Sequence, residues 1–324
     1  MTTITPGFTF PIGTDQPGAT PGAAAPNQFY GGTFIPSLWS GKLVEKFYDA
    51  TVLAAISNTD YEGEISKFGD NIIIRNKPSV TIQAYTAGAE LVSERPSADT
   101  VNLPIDQGKY WATELDDVME IQSDIDQLSM WADDASEQMK IEIDTDVLAF
   151  LEDKADAANK GATAGRKSAS IDLGVTTAPL TIDKSNVIDI IIRASQALDE
   201  NNVPESGRWI VIPAWVASRI KNSELKDASL TGDGASILRN GRLGQIDRFT
   251  LYMSNLLPQA TVGANEEYTV YFGHSVGLTF ASQVTKVETL RSEKTFGTIM
   301  RGLQVYGRQV VKPVGLGQII CTPN

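Results

Sequence analysis

An α+β fold is predicted by three features: a β-branched stretch at 71–85, an apolar repeat of three and four residues over 121–158, and short alternating helix and strand patterns after Ser185. The 324 residues are 42% apolar and 21% charged, a globular balance with enough material for a sizeable core. Cys321 and His274 are the only residues of their types, which excludes disulfide frameworks, CxxC redox sites and zinc clusters built within one chain. No stretch approaches the ~18 uncharged apolar residues of a membrane span, and MTTITPGFTF lacks the basic flank and apolar run of a signal peptide. Folding in the cytoplasm, with no membrane partner, is expected.

The net charge of −13 is local. Residues 114–156 hold 15 acids against Lys140 and Lys154, and the rest of the chain is balanced. Sequence-specific nucleic-acid binding needs clustered Lys and Arg, so this distribution argues against it. A solvated helix face is the ordinary fate of such a run.

Along the chain, residues 1–36 contain six Pro, six Gly and a single charge, Asp15, and sustain neither periodicity. They read as an N-terminal arm. Phe8, Phe29, Tyr30 and Phe34 are scattered through it as anchors for a surface on a neighbouring molecule. Residues 37–70 are predicted to be short helices joining the arm to a hairpin. The strand pattern of 71–85 and the alternation of Val101, Leu103 and Ile105 predict an extended β-hairpin over 71–114, with its polar tip at 86–99. Two strands alone are marginal in water, so their apolar face is expected to rest on something else.

Over 121–158 neither Gly nor Pro interrupts the repeat Ile121, Ile125, Leu128, Ala132, Ala135, Met139, Ile143, Val147 and Phe150, which predicts one helix of ~37 residues, ~55 Å long. Residues 115–184 then form one domain around that helix. In 185–284, Ser185 is expected to cap a helix to Asp199, Trp209–Ile212 to be a buried strand, and Pro213 to open a second helix. Residues 285–324 are β-rich, bend at 294–297, and are expected to return to the long helix.

No motif carries enzymatic chemistry. The stretch 161–168 (GATAGRKS) lacks the spacing of a phosphate loop and reads as a flexible connector. The pairs Asp124/Asp126 and Asp144/Asp146 fall inside the helix pattern rather than a calcium loop and read as helix surface. His274 reads as a structural hydrogen-bonding residue.

The order of arm, hairpin, long helix and α/β body, together with NGRLGQIDRF at 240–249, SNLLP at 254–258 and the stretch from Gly273–His274 to Phe280–Ala281, resembles the major capsid proteins of tailed bacteriophages. The resemblance implies the phage major capsid fold: N-terminal arm, extended loop, spine helix in a peripheral domain, α/β axial domain over 185–284, and C-terminal strands returning to the peripheral domain. It further implies self-assembly into hexamers and pentamers, an icosahedral shell around double-stranded DNA that is contained and not read, and a portal and decoration protein as partners. The presence of Met1 leads to the expectation of a separately encoded scaffolding protein. Some family members crosslink through a loop lysine. The tip here has Arg95 and no Lys, so a non-covalent shell without cofactors is expected.

Because the acidic helix is the only dense anionic surface, Arg75, Lys77, Arg95 and Lys109, with Glu94 beside the tip arginine, are the candidate intersubunit contacts. An encapsulin-type compartment is the nearest alternative, and a metal-dependent hydrolase using the acidic face is one from another class.

Overall fold

The computed structural model describes residues 46, 48–49, 51–60, 71–85, 87–88, 90, 93–122, 126–223, 244–262 and 265–323. Phe8, Phe29, Tyr30, Phe34 and the predicted arm lie outside the described residues, as does the stretch 224–243.

The largest sheet has seven strands in the order β4 (Leu180–Ile182), β12 (Leu316–Pro323), β9 (Asn265–His274), β5 (Arg208–Ile212), β7 (Phe249–Met253) and β6 (Gln245–Ile246), with β8 (Gln259–Val262) paired to β9. Every residue of β5 is buried. Its two faces explain why: Ile210 and Ile212 pack with α4 (Val187–Glu200) and α5 (Ala214–Lys221), while Trp209 and Val211 pack with the spine residues Ile143, Val147 and Leu148. A strand covered on both faces reads as a continuous apolar run rather than an alternation. α5 begins directly after Pro213 as predicted. α4 is capped differently from the prediction. Asn186 takes the cap position without a side-chain bond, and Asp183 accepts from the backbone N–H groups of Ser185 and Asn186 and from the Ser185 hydroxyl.

The predicted single helix over 121–158 is corrected. α2 (Asp117–Gln122) and α3 (Gln127–Phe150) are separate, and the 24 residues of α3 span about 36 Å. Asp126 caps α3 by accepting from Ser129 N, and beyond Phe150 the chain turns until Asp153 adopts a left-handed φ of 58°. Short polar side chains that bond to nearby backbone end a helix as effectively as Gly or Pro.

The extended hairpin is also corrected. β1 (Asn71–Arg75) and β2 (Thr100–Pro104) pair over five positions, from Asn71↔Pro104 to Arg75↔Thr100. Among the described residues of 76–99 there is no strand. β3 (Gln107–Asp116) leaves the pair and joins a three-stranded antiparallel sheet in the order β10 (Leu278–Arg291), β11 (Gly297–Val310), β3. A third strand and the spine behind it stabilise β3 where a lone two-stranded ribbon has neither. The short ladder does rest on other elements, since Ile74, Leu103 and Ile105 form a buried cluster with Ala281 and Val311.

The C-terminal strands divide. The bend at 294–297 closes the β10–β11 hairpin, with Ser292 N bonded to Gly297 O at 2.9 Å, and β11 pairs with β3 along the spine. β12, expected to return to the long helix, enters the seven-stranded sheet between β4 and β9, with Leu316 packed in the cluster of the α3 residues Ile143, Val147 and Leu148. Its burial on both faces, including Ile319 and Cys321 on one side and Leu316 on the other, makes that central slot the more stable one.

Candidate functional site

Two surfaces bear on function: the loop at 76–99 and the spine. On the loop, Val80, Ile82 and Tyr85 are 62%, 90% and 75% exposed, on a segment that forms no strand. Glu94 ties the two limbs by accepting from Thr81 N at 3.1 Å. Arg75, Lys77 and Arg95 are exposed and form no ion pair among the described residues. Gly88, at φ 84°, makes the turn.

Lys109 behaves differently from its three companions. Its ammonium lies 2.8 Å from Glu142 on the spine of the same chain, so within one chain it already has the carboxylate partner that was expected from a neighbour. The reason is parity along β3, where odd-numbered residues face the spine and Lys109 stands opposite Gln304 of β11. Other spine acids are likewise satisfied within the chain. Asp134 accepts from Lys46 at 2.7 Å and from the Tyr48 hydroxyl at 2.8 Å, Asp146 accepts from Tyr306 at 2.7 Å and pairs with Arg308, and Asp117 pairs with Arg291. Among the described residues, Glu120 and Asp133 form no direct ion pair, although Arg291, held by Asp117, also feels the charge of Glu120.

One important spine residue was read from the sequence as helix surface. Asp144 is 1% exposed, and its Oδ2 accepts from Val52 N at 2.7 Å, capping the short helix α1 (Leu53–Ile56) from the side. Burial raises its pKa to about 6, against the opposing pull of the Val52 and Leu53 amides. The signal was present, because Leu148 and Leu151 lie four and seven residues on and place position 144 in the buried stripe. With Asp134 it fastens the segment 46–56 along α3.

The remaining motifs resolve into structure. His274 Nδ1 accepts from Val276 N at 3.1 Å, and burial lowers its pKa. In the loop that superficially resembled a phosphate site, the amides of Lys167 and Ser168 donate to the Glu200 carboxylate at 2.8 and 3.0 Å. Those two bonds hold Glu200 down to a pKa of about 2 and order a segment expected to be a flexible connector. No group of three or more metal-ligating side chains occurs among the described residues.

What remains is a surface for protein contact, and comparison with known proteins identifies its class. A family model described as phage capsid protein matches residues 106–318, about two thirds of the chain. The chain belongs to the phage capsid protein family. It is a subunit of a virion shell, built to associate with copies of itself. A chain from Mycobacterium phage Che8 is similar at 28% identity and TM-score 0.74, covering 89% of this chain and 97% of that one. The capsid structure of Cyanophage P-SCSP1u is similar at 16% identity and TM-score 0.68, with 90% and 94% covered, and the capsid of Ralstonia phage GP4 at 14% and 0.64, with 93% and 99% covered. No curated protein sequence matches. Neither the encapsulin alternative nor the hydrolase gains support from these relatives. The capsid subunit thus carries the predicted α+β capsid fold, and its α/β body and spine are the parts the family model spans.

Proposed function

We propose that this capsid subunit assembles into hexamers and pentamers that close an icosahedral shell, with the loop at 76–99 of each copy lying on its neighbour. The observation that carries this reading is the group of exposed apolar side chains Val80, Ile82 and Tyr85 on a segment that joins no strand ladder among the described residues. Exposed apolar side chains grouped on one segment mark a contact surface. Arg95 and Glu94 at the tip, with Arg75 and Lys77 at the base, supply the polar rim, and the arm anchors Phe8, Phe29, Tyr30 and Phe34 spread contacts to a further copy. Contacts distributed over several neighbours make each link reversible and the closed shell durable.

The shell would enclose double-stranded DNA without reading its sequence, since a chain of net charge −13 repels phosphate except at local basic patches. A scaffolding protein, a portal and a decoration protein complete the proposed set of partners, assembly takes place in the host cytoplasm, and the joints are non-covalent. The decisive experiment images purified protein by electron microscopy. Wild type should form closed shells, while Ile82→Asp and a chain lacking residues 1–35 should remain folded by circular dichroism and fail to close. Robust shells from both variants would overturn the assignment of loop and arm to assembly.

A further inference from the structure

The base of the hairpin borders a groove of about 740 Å³ lined from five separate parts of the chain, among them Asn58 and the stretch from His274 to Thr279. Of the other three, Arg75 ends β1 and Asn76 and Lys77 follow it, Asn202 to Pro204 follow α4, and Lys312 to Val314 precede β12. It contains three fixed cations, Arg75, Lys77 and Lys312, and no carboxylate lines it, in a chain whose net charge is −13. None of the three forms an ion pair among the described residues. Between the cations lie apolar side chains that are partly open, Val276 at 39% and Val314 at 40% exposure. The floor is rigid. Gly277 N donates to His274 O at 2.8 Å, Val311 N to Gly277 O at 3.0 Å, and a Cβ on Gly277 would meet His274 O at 3.1 Å. A preorganised groove that mixes cations with apolar patches suits an amphipathic, acidic segment.

The chain itself contains such a segment. α2 has no buried residue, yet carries Val118, Met119 and Ile121 at 57%, 55% and 84% exposure beside Glu120, an exposed carboxylate that makes no direct ion pair among the described residues and has Arg291, already held by Asp117, as its nearby cation. Its own copy cannot offer it the groove. The ten residues of β3 separate α2 from the hairpin base by about 30 Å.

We propose that the groove at the hairpin base receives α2 of a second copy, with Glu120 against Lys77 and Lys312, and Val118, Met119 and Ile121 against Val276 and Val314. This rests on the shell reading above and names one of its joints. Charge complementarity steers the encounter and sets the register, and the apolar side chains supply the burial.

Charge reversal and its rescue test the assignment. Lys77→Glu with Lys312→Glu should raise the concentration needed for assembly about tenfold at low salt, followed by light scattering, and the loss should shrink as salt rises. Glu120→Lys alone should do the same. The triple variant carrying both reversals should recover wild-type assembly, because every joint then has its charges exchanged. All three sites are exposed, and an unchanged melting temperature of unassembled subunits checks that folding is intact. The milder Lys312→Gln should lie between wild type and the double reversal. Wild-type assembly by the groove reversal would overturn the joint altogether. Failure of Glu120→Lys to rescue it would overturn α2 as the occupant. If the reversal instead abolished binding of double-stranded DNA to subunits while shells formed normally, the groove would be a phosphate site and the proposal wrong. Absence of shells from wild type itself would count against the shell reading, not against this joint.

Discussion

The seven-stranded body and the loop at 76–99 treat apolar side chains in opposite ways. In the body, Phe249 and Phe272 are fully buried with ring centroids 6.0 Å apart at 80°, and the buried Arg208 finds Asp199 at 2.6 Å and the carbonyls of Val203 and Pro204 at 2.7 and 2.9 Å. On the loop, Ile82 is 90% exposed and Arg95 has no ionic partner among the described residues. The body hides its apolar side chains within the chain, and the loop leaves its own open, the surface proposed above to meet another copy. A shell subunit needs both, since it must fold before it meets its neighbours.

The largest effect that sharpens this contrast lies in the body. Phe272→Ala removes a ring that contacts Phe249 and lies across Gly317, and should cost about 3–5 kcal/mol in urea unfolding of unassembled subunits. Ile82→Ala should leave the same measurement within about 0.5 kcal/mol, as surface substitutions do. A comparable loss for both would erase the distinction.

Asp144 should move stability in the other direction. Its folded pKa of about 6 lies above an ordinary aspartate, so the folded chain binds the proton more tightly than the unfolded one. Stability from this group is therefore fullest below about pH 4 and is lost as pH rises through about 6, by up to about 3 kcal/mol. The groups around it are the Val52 and Leu53 amides, with no cation paired to it among the described residues. Asp144→Asn keeps an acceptor for Val52 N without the charge. It should raise the melting temperature at pH 8 and converge with wild type near pH 4. Equal melting curves at both pH values would show that the carboxylate is not held above its usual range.

Smaller effects separate the two kinds of basic residue. Arg95→Glu should leave the isolated subunit unchanged and weaken assembly more than Arg95→Ala, with both losses shrinking at high salt. Lys109→Ala acts within one chain, so its cost of less than about 1 kcal/mol should appear in unassembled subunits. If Lys109→Ala affected assembly alone, its pairing with Glu142 in the same chain would be irrelevant in the shell.

The sequence by itself determined the elements whose periodicity is fixed by burial on one or two faces. The continuous apolar run Trp209–Ile212, the helix opened by Pro213 and the repeat through Met139, Ile143 and Val147 each follow from local geometry and the need to hide apolar surface. The resemblance to the capsid family lies in the order of arm, hairpin, long helix and α/β body together with the motifs at 240–258. Helix ends were less legible, because Asp126 and Asp153 stop α3 through backbone bonding and a left-handed turn rather than through Gly or Pro.

Only the tertiary structure decided which side chains meet across long separations in the chain. Lys109 turned inward because β3 pairs with β11, Asp144 became a buried cap because segment 46–56 lies along the spine, and β12 entered the seven-stranded sheet because β4 and β9 leave a slot buried on both faces. The groove is of the same kind, joining Arg75 to Lys312 across 237 positions. Periodicity records whether a residue is buried, but pairing between distant segments is settled by the packing free energy of the whole chain, which no local window of sequence contains.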